Sequence, residues 1–285
     1  IAFLGFAVFA PAVMHKLTLR QVLLTVAISL SVMMVLSFIV YLVAPQYVLT
    51  QLLAGGGPRF RGLSGSPNNM GRVASLFLIT FLLLCSKRMI RPWILVVVIP
   101  LTALGLYMSE SRTAGAAALV AYLAVGGLIK RSQLLVVSAI GGVIGVVLLL
   151  MVANYGDIDT LLGHLSRSGS ASELYTFSNR TDIWAYVWKK VLESPLLGYG
   201  YAATRTMMPA EYYTMWGYTV THAHNLILQC LITTGVIGTA FILIVFIGQG
   251  RDLAREPRPF RDVMFVYVVL TGIFEVGAIG VTPNL

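Results

Sequence analysis

Eight apolar runs divide this chain, at about 1–14, 22–44, 69–85, 93–108, 113–129, 133–152, 223–247 and 263–281. A helix of about 20 such residues matches the roughly 30 Å hydrocarbon layer of a bilayer. In that layer a helix is favoured because it satisfies its own backbone hydrogen bonds. The sequence therefore predicts an all-α polytopic membrane protein, a single transmembrane helical domain over 1–285 with about eight spans. Only 11% of residues are charged, against about 25% in soluble domains, which excludes a soluble fold. The first run starts at Ile1 without a flank, so the chain is expected to be a fragment of a longer one.

The net charge of +9 comes without a basic stripe on a polar domain, so no nucleic acid partner is expected. Topology and an anionic lipid or substrate account for it instead. The loops His15 to Arg20, Lys87-Arg88 with Arg91, Lys130-Arg131 and Arg251 to Arg261 are short and basic. The positive-inside rule places them in the cytoplasm and sends 45–68, 109–112 and the long loop 153–222 to the far side. Four arginines oppose that rule, in or beside short outer loops: Arg59, Arg61, Arg72 and Arg112. A cationic group held at a membrane edge against the topological signal is a candidate for binding an anion. Cys85 and Cys230 both lie in apolar runs with no partner spacing, and read as packing residues.

On this topology the third, fifth and seventh segments begin on the outer side. Their starts are Ser66-Pro67-Asn68-Asn69, Ser109 or Ser111, and Thr221-His222-Ala223-His224-Asn225, all with capping residue types. A helix N-terminus presents free N–H groups and about half a positive charge. If the three ends converge, they and Arg61, Arg72 and Arg112 make an anion site of pyrophosphate size.

The long outer loop has two parts. Residues 154–179 are polar and small. From 181 to 194 the apolar residues Ile183, Trp184, Val187, Trp188, Val191 and Leu192 recur at helical spacing opposite Asp182, Lys189, Lys190 and Glu193, with Thr181 as cap. That is an amphipathic surface helix, either a substrate lid or a helix packed on the bundle.

Four patterns recur on the outer side: Arg59-x-Arg61-Gly62 with Ser66-Pro67-Asn68; Ser109-x-Ser111-Arg112-Thr113; Asn179-Arg180 with Trp184; and His222-x-His224-Asn225 with Gly235-Val236-Ile237-Gly238. In this order, over roughly 55–245, the chain resembles the O-antigen ligase and polysaccharide polymerase superfamily of the bacterial inner membrane. The resemblance implies a metal-independent glycosyltransferase, without cofactor, working on the periplasmic side. Its partners would be an undecaprenyl-pyrophosphate-linked glycan, an acceptor glycan or lipid A-core, and membrane lipid. Arg112 and Arg180 would carry the functional arginines and His224, or alternatively His222, the histidine. Arg61, Arg72, His222, Asn225 and Asn68 would contact substrate.

The residues themselves fit that chemistry. Arginine forks match phosphate oxygens and stay charged, so they stabilise a departing pyrophosphate. Histidine, with a pKa near 6.5, suits deprotonation of an acceptor hydroxyl, and attack from the opposite face inverts the anomeric centre. Glu110, Glu173 and Asp182 are alternative bases. Thr221, Asn225 and Gln229, at i, i+4 spacing, share a face for substrate or interhelical bonding. Glu275 in the eighth segment is either functional or the buried partner of an arginine. His222 and His224 have no third ligand nearby in sequence, so a zinc site is not expected. A transporter or flippase of an anionic lipid-linked substrate is the competing class. It predicts repeated halves and broken helices at mid-membrane, whereas the chain shows no repeat and its candidate residues lie at the outer edge. Whether the acceptor is lipid A-core, another repeat unit or a protein hydroxyl stays open.

Overall fold

The computed structural model describes residues 16–50, 58–125, 180–211, 220–256 and 258–276. The described residues form two compact units, one up to Ala118 and one from Leu119 on.

In the first unit, α1 spans Leu19–Val43, α2 Pro67–Ser86, α3 Leu95–Ser109, and α4 starts at Arg112 and runs to Val125. Several of these starts and stops have a local cause. Thr18 and Gln21 form a reciprocal capping box at the head of α1. At its tail, Pro45 forces Ala44 out of helical geometry. Ser66 caps α2 by accepting from Asn69 N at 3.2 Å, and Pro67 occupies the first helical position, where its missing N–H costs nothing. Between α3 and α4 the chain reverses through Glu110 in the left-handed region, φ 51°.

The core of this unit joins Met34, Phe60, Met70, Phe77 and Val98. A minimal antiparallel pair, β1 (Leu49–Thr50) and β2 (Arg59–Phe60), interrupts the otherwise helical fold. It brings Phe60 onto Phe38 and Tyr41.

In the second unit, α5 spans Arg180–Glu193, α6 Thr204–Glu211, α7 Leu226–Arg255 and α8 Pro259–Gly272. Ile183, Val187 and Val191 of α5 are buried against Met208, Val220, Ala223 and Ile232. Of the rest of the apolar stripe, Trp184 is half-buried while Trp188 and Leu192 stay exposed. The amphipathic helix is therefore packed on protein along one edge and bare along the next. Thr181 lies inside it rather than capping it. Lys190 ties α5 to α6 by bonding Glu193 at 3.0 Å and Glu211 at 2.8 Å. Hydrogen bonds from Lys190 hold both carboxyls below their ordinary range.

Helix α7 is broken. Gly235 sits at φ 63°, ψ −169°, a conformation open in practice only to glycine. The segment following α5 fills the gap. Tyr199 N donates to Ile232 O and Gly200 N to Thr233 O, both at 2.8 Å. In return Val236 N donates to Pro195 O at 2.8 Å and Ile237 N to Leu196 O at 3.3 Å. Thus the backbone groups that the break would orphan are satisfied by another stretch of main chain, as an apolar surrounding demands.

Among the described residues, four helices are long and apolar enough to cross a membrane: Leu19–Val43, Pro67–Ser86, Pro92–Ser109 and Leu226–Arg255. Their outward side chains, such as Leu42, Val43, Phe241 and Ile244, are apolar, as lipid contact requires. The expected eight spans are not matched in number. The fifth and eighth runs are seen as 14-residue helices, and the first and sixth lie outside the described residues. So do 154–179 and Glu173.

Candidate functional site

The expected site residues fall in both units, and each group is organised by one buried charged residue. In the first unit the organiser is Arg59, only 7% exposed. Its Nε and Nη2 donate to Ser109 O at 3.1 and 2.6 Å, Nη2 reaches Asn68 Oδ1 at 3.3 Å, and Nε lies 3.5 Å from Glu110 Oε2. A fixed cation thus takes the last carbonyl of α3 and sets the turn from which Arg112 emerges. Ser111 in the same turn packs against Gly71 so closely that any side chain there would collide with it. Arg112 itself is exposed at the first turn of α4, with its backbone N–H on Glu110 O at 3.1 Å and no partner for its guanidinium among the described residues. Arg61 donates twice to Tyr47 O, at 3.2 and 3.0 Å, and Arg72 to Asn69 Oδ1. Of the expected cations in this unit, Arg112 is the one presented outward, while Arg61 and Arg72 brace the backbone and the α2 start.

In the second unit Arg180, His222 and His224 meet around one residue of the eighth segment, and Asn225 bonds another. Glu275 is 4% exposed and accepts from Arg180 Nη2 at 2.7 Å. Its other oxygen lies 3.6 Å from His224 Nδ1, within ion-pair range but beyond a direct hydrogen bond. His222 and His224 have ring centroids 4.0 Å apart, and His222 Nδ1 shares a hydrogen bond with Thr221 Oγ1 at 3.2 Å. Two basic partners on one carboxylate make Glu275 the hub, so the sequence reading of it as an arginine's buried partner matches one of these two contacts. It sits three residues past α8 rather than inside a span.

Asn225 is fully engaged. Its Oδ1 caps α7 by accepting from Leu228 N, and its Nδ2 donates to Ile273 O, both at 3.0 Å. Because Asn225 is extended and Thr221 precedes the helix, these two and Gln229 do not share a helix face, contrary to the i, i+4 reading. His224 is left-handed at φ 48°, a conformation that costs about 1–3 kcal/mol and survives where surroundings impose it. Here they do. The N–H of Ala223 donates to Gln229 Oε1 at 2.9 Å, and its carbonyl accepts from Trp184 Nε1 at 3.0 Å.

His222, His224 and Glu275 each offer one ligand atom, all within 4.8 Å of one another, so the third ligand that the local spacing lacked is supplied from 51 residues further on. Three such donors are able to hold a divalent ion. Arg180 already neutralises the carboxylate, which weakens it as a metal donor and favours a His–Glu–Arg charge network. Sequence reasoning marks Arg59 only as one of the outer arginines and Gln229 only as a neighbour of Thr221 and Asn225, and gives neither the bonds seen here. The buried arginine has no sequence signal beyond its position against the topology rule.

The family model described as O-antigen ligase matches residues 97–243. That range contains the Ser109–Thr113, Arg180–Trp184, His222–Asn225 and Gly235–Gly238 patterns, while Arg59 to Asn68 and Glu275 lie outside it. No curated protein matches the chain.

Proposed function

The chain belongs to the O-antigen ligase family, a multi-pass membrane protein of glycosyltransferase type, and from that premise we propose that it moves a glycan from undecaprenyl pyrophosphate to an acceptor hydroxyl at the periplasmic face of the bacterial inner membrane. The acceptor oxygen attacks the anomeric carbon from the face opposite the pyrophosphate. The bond from that carbon to the phosphate oxygen breaks, and its electron pair leaves with the pyrophosphate. Configuration inverts. Arg180 and Arg112 take up the growing charge, with no divalent ion required, and His224 receives the hydroxyl proton. The observation that supports this most is the Arg180–Glu275–His224 arrangement, in which a guanidinium fork and an imidazole share one buried carboxylate.

The test is transfer in proteoliposomes from lipid-linked glycan to lipid A-core. His224→Ala is expected to cut turnover about 10²–10⁴-fold, the usual worth of a general base, with donor binding nearly kept. His222→Ala is expected to cost far less. A silent His224→Ala with a crippled His222→Ala transfers the role to His222, and two silent variants remove histidine from the chemistry. Products resolve the acceptor. Long glycan on lipid A-core marks a ligase; chain growth on the lipid carrier alone marks a polymerase.

Arg112 supplies a separate check. Arg112→Ala is expected to abolish transfer and Arg112→Lys to restore little of it, because a point charge does not replace a planar fork. Near-complete rescue by lysine reduces Arg112 to long-range attraction.

A further inference from the structure

Between the two histidines lies Ala223, a residue with no chemistry of its own and 0% exposed. Both of its peptide groups are held by side chains from two different helices. Gln229, one turn into α7 and itself buried, accepts the Ala223 N–H at 2.9 Å and spends its amide N–H on Thr204 Oγ1 at 3.2 Å. Its amide is thereby locked at both ends. Trp184, one turn after Arg180 on α5, gives its indole N–H to Ala223 O at 3.0 Å. The second bond matters most for geometry. The peptide that carries Ala223 O also carries His224 N, so its plane sets the left-handed φ of 48° at His224. Released from that bond, His224 gains by relaxing toward the ordinary regions.

We propose that Trp184 and Gln229 are positioning residues for His224, fixing the peptide planes that aim its imidazole. The inference rests on the reading of His224 as the base. Helix α5 then has two duties on one face: Arg180 bonds Glu275, and Trp184, four residues on, holds the histidine turn. A tryptophan of an amphipathic surface helix is accordingly a strut of the site rather than a membrane-belt residue.

The experiment measures kcat and KM for the lipid-linked donor in proteoliposomes, for each variant alone and combined with His224→Ala. Trp184→Phe keeps an aromatic ring and loses the N–H. It is expected to lower kcat about tenfold, the worth of one well-made hydrogen bond, with KM within about twofold. On the His224→Ala background the same change is expected to do almost nothing, because residues that act through one group are not additive. Gln229→Leu should behave likewise, whereas Gln229→Glu, which keeps an acceptor for Ala223 N–H, should hold near wild-type kcat. Losses that multiply on the His224→Ala background, a loss confined to KM, or equal damage from Leu and Glu at 229 would overturn the proposal. If Trp184→Phe does not accumulate in the membrane, the Leu/Glu pair at 229 decides. A wild-type rate for His224→Ala alone would instead remove the base assignment, and the positioning role with it.

Discussion

Arg180→Ala is expected to lower glycan transfer about 10²–10³-fold, the cost of removing one donor aimed at developing negative charge. The same substitution leaves Glu275 buried beside His224 without its cation, a defect worth about 3–5 kcal/mol where burial is this complete. Loss of activity alone therefore cannot separate a substrate contact from a counter-ion. The double variant Arg180→Ala with Glu275→Gln does separate them, since it removes the orphaned charge along with the arginine. Stability, read from thermal unfolding in detergent, is expected to return toward wild type while transfer stays lost. Recovery of transfer in the double variant would mean that Arg180 serves only to neutralise Glu275.

The second large effect is structural. Gly235→Ala is expected to cost at least about 4 kcal/mol and to remove most of the folded protein from the membrane fraction, because two independent mechanisms act together. Alanine does not reach φ 63°, ψ −169° without strain, and its methyl group would strike the carbonyl of Leu196. Gly250→Ala in the same helix is the control. A methyl group there meets nothing within 4 Å, and alanine favours the helix, so that variant should be silent or slightly stabilising. Equal yields of the two variants would mean that the α7 break is dispensable.

Nothing local to Gly235 signals that it breaks its helix, although it opens the Gly235-Val236-Ile237-Gly238 pattern. Hydropathy reads 223–247 as one continuous span, and a break is invisible when main chain from elsewhere satisfies it. What was legible is what depends on neighbours in sequence. Ser66 with Pro67, and Asn225 ahead of α7, declare helix starts through local bonds, and both caps are seen. The period of Ile183, Val187 and Val191 declared a buried face. Arg180, His222 and His224 were chosen by residue type and by the resemblance, and the structure sets them together. Their hub was harder to find. Glu275 is separated from Arg180 by 95 residues, and no periodicity spans that distance. Arg61 and Arg72 show the opposite failure. Counted as loose cations from sequence, they are occupied by the Tyr47 carbonyl and the Asn69 side chain, because a guanidinium bonds whatever oxygen acceptor lies within its reach.

The brace between α5 and α7 has a mechanical consequence. A flap needs one free end, and α5 has none. Its head is anchored through Arg180 to Glu275, and just past its tail the chain is stitched by four main-chain bonds into the gap of α7. Swinging it outward from either side would sever a buried ion pair or re-expose the broken span. Held at both ends, α5 is a fixed rod of the second unit that keeps Trp188 and Leu192 exposed along its bare edge.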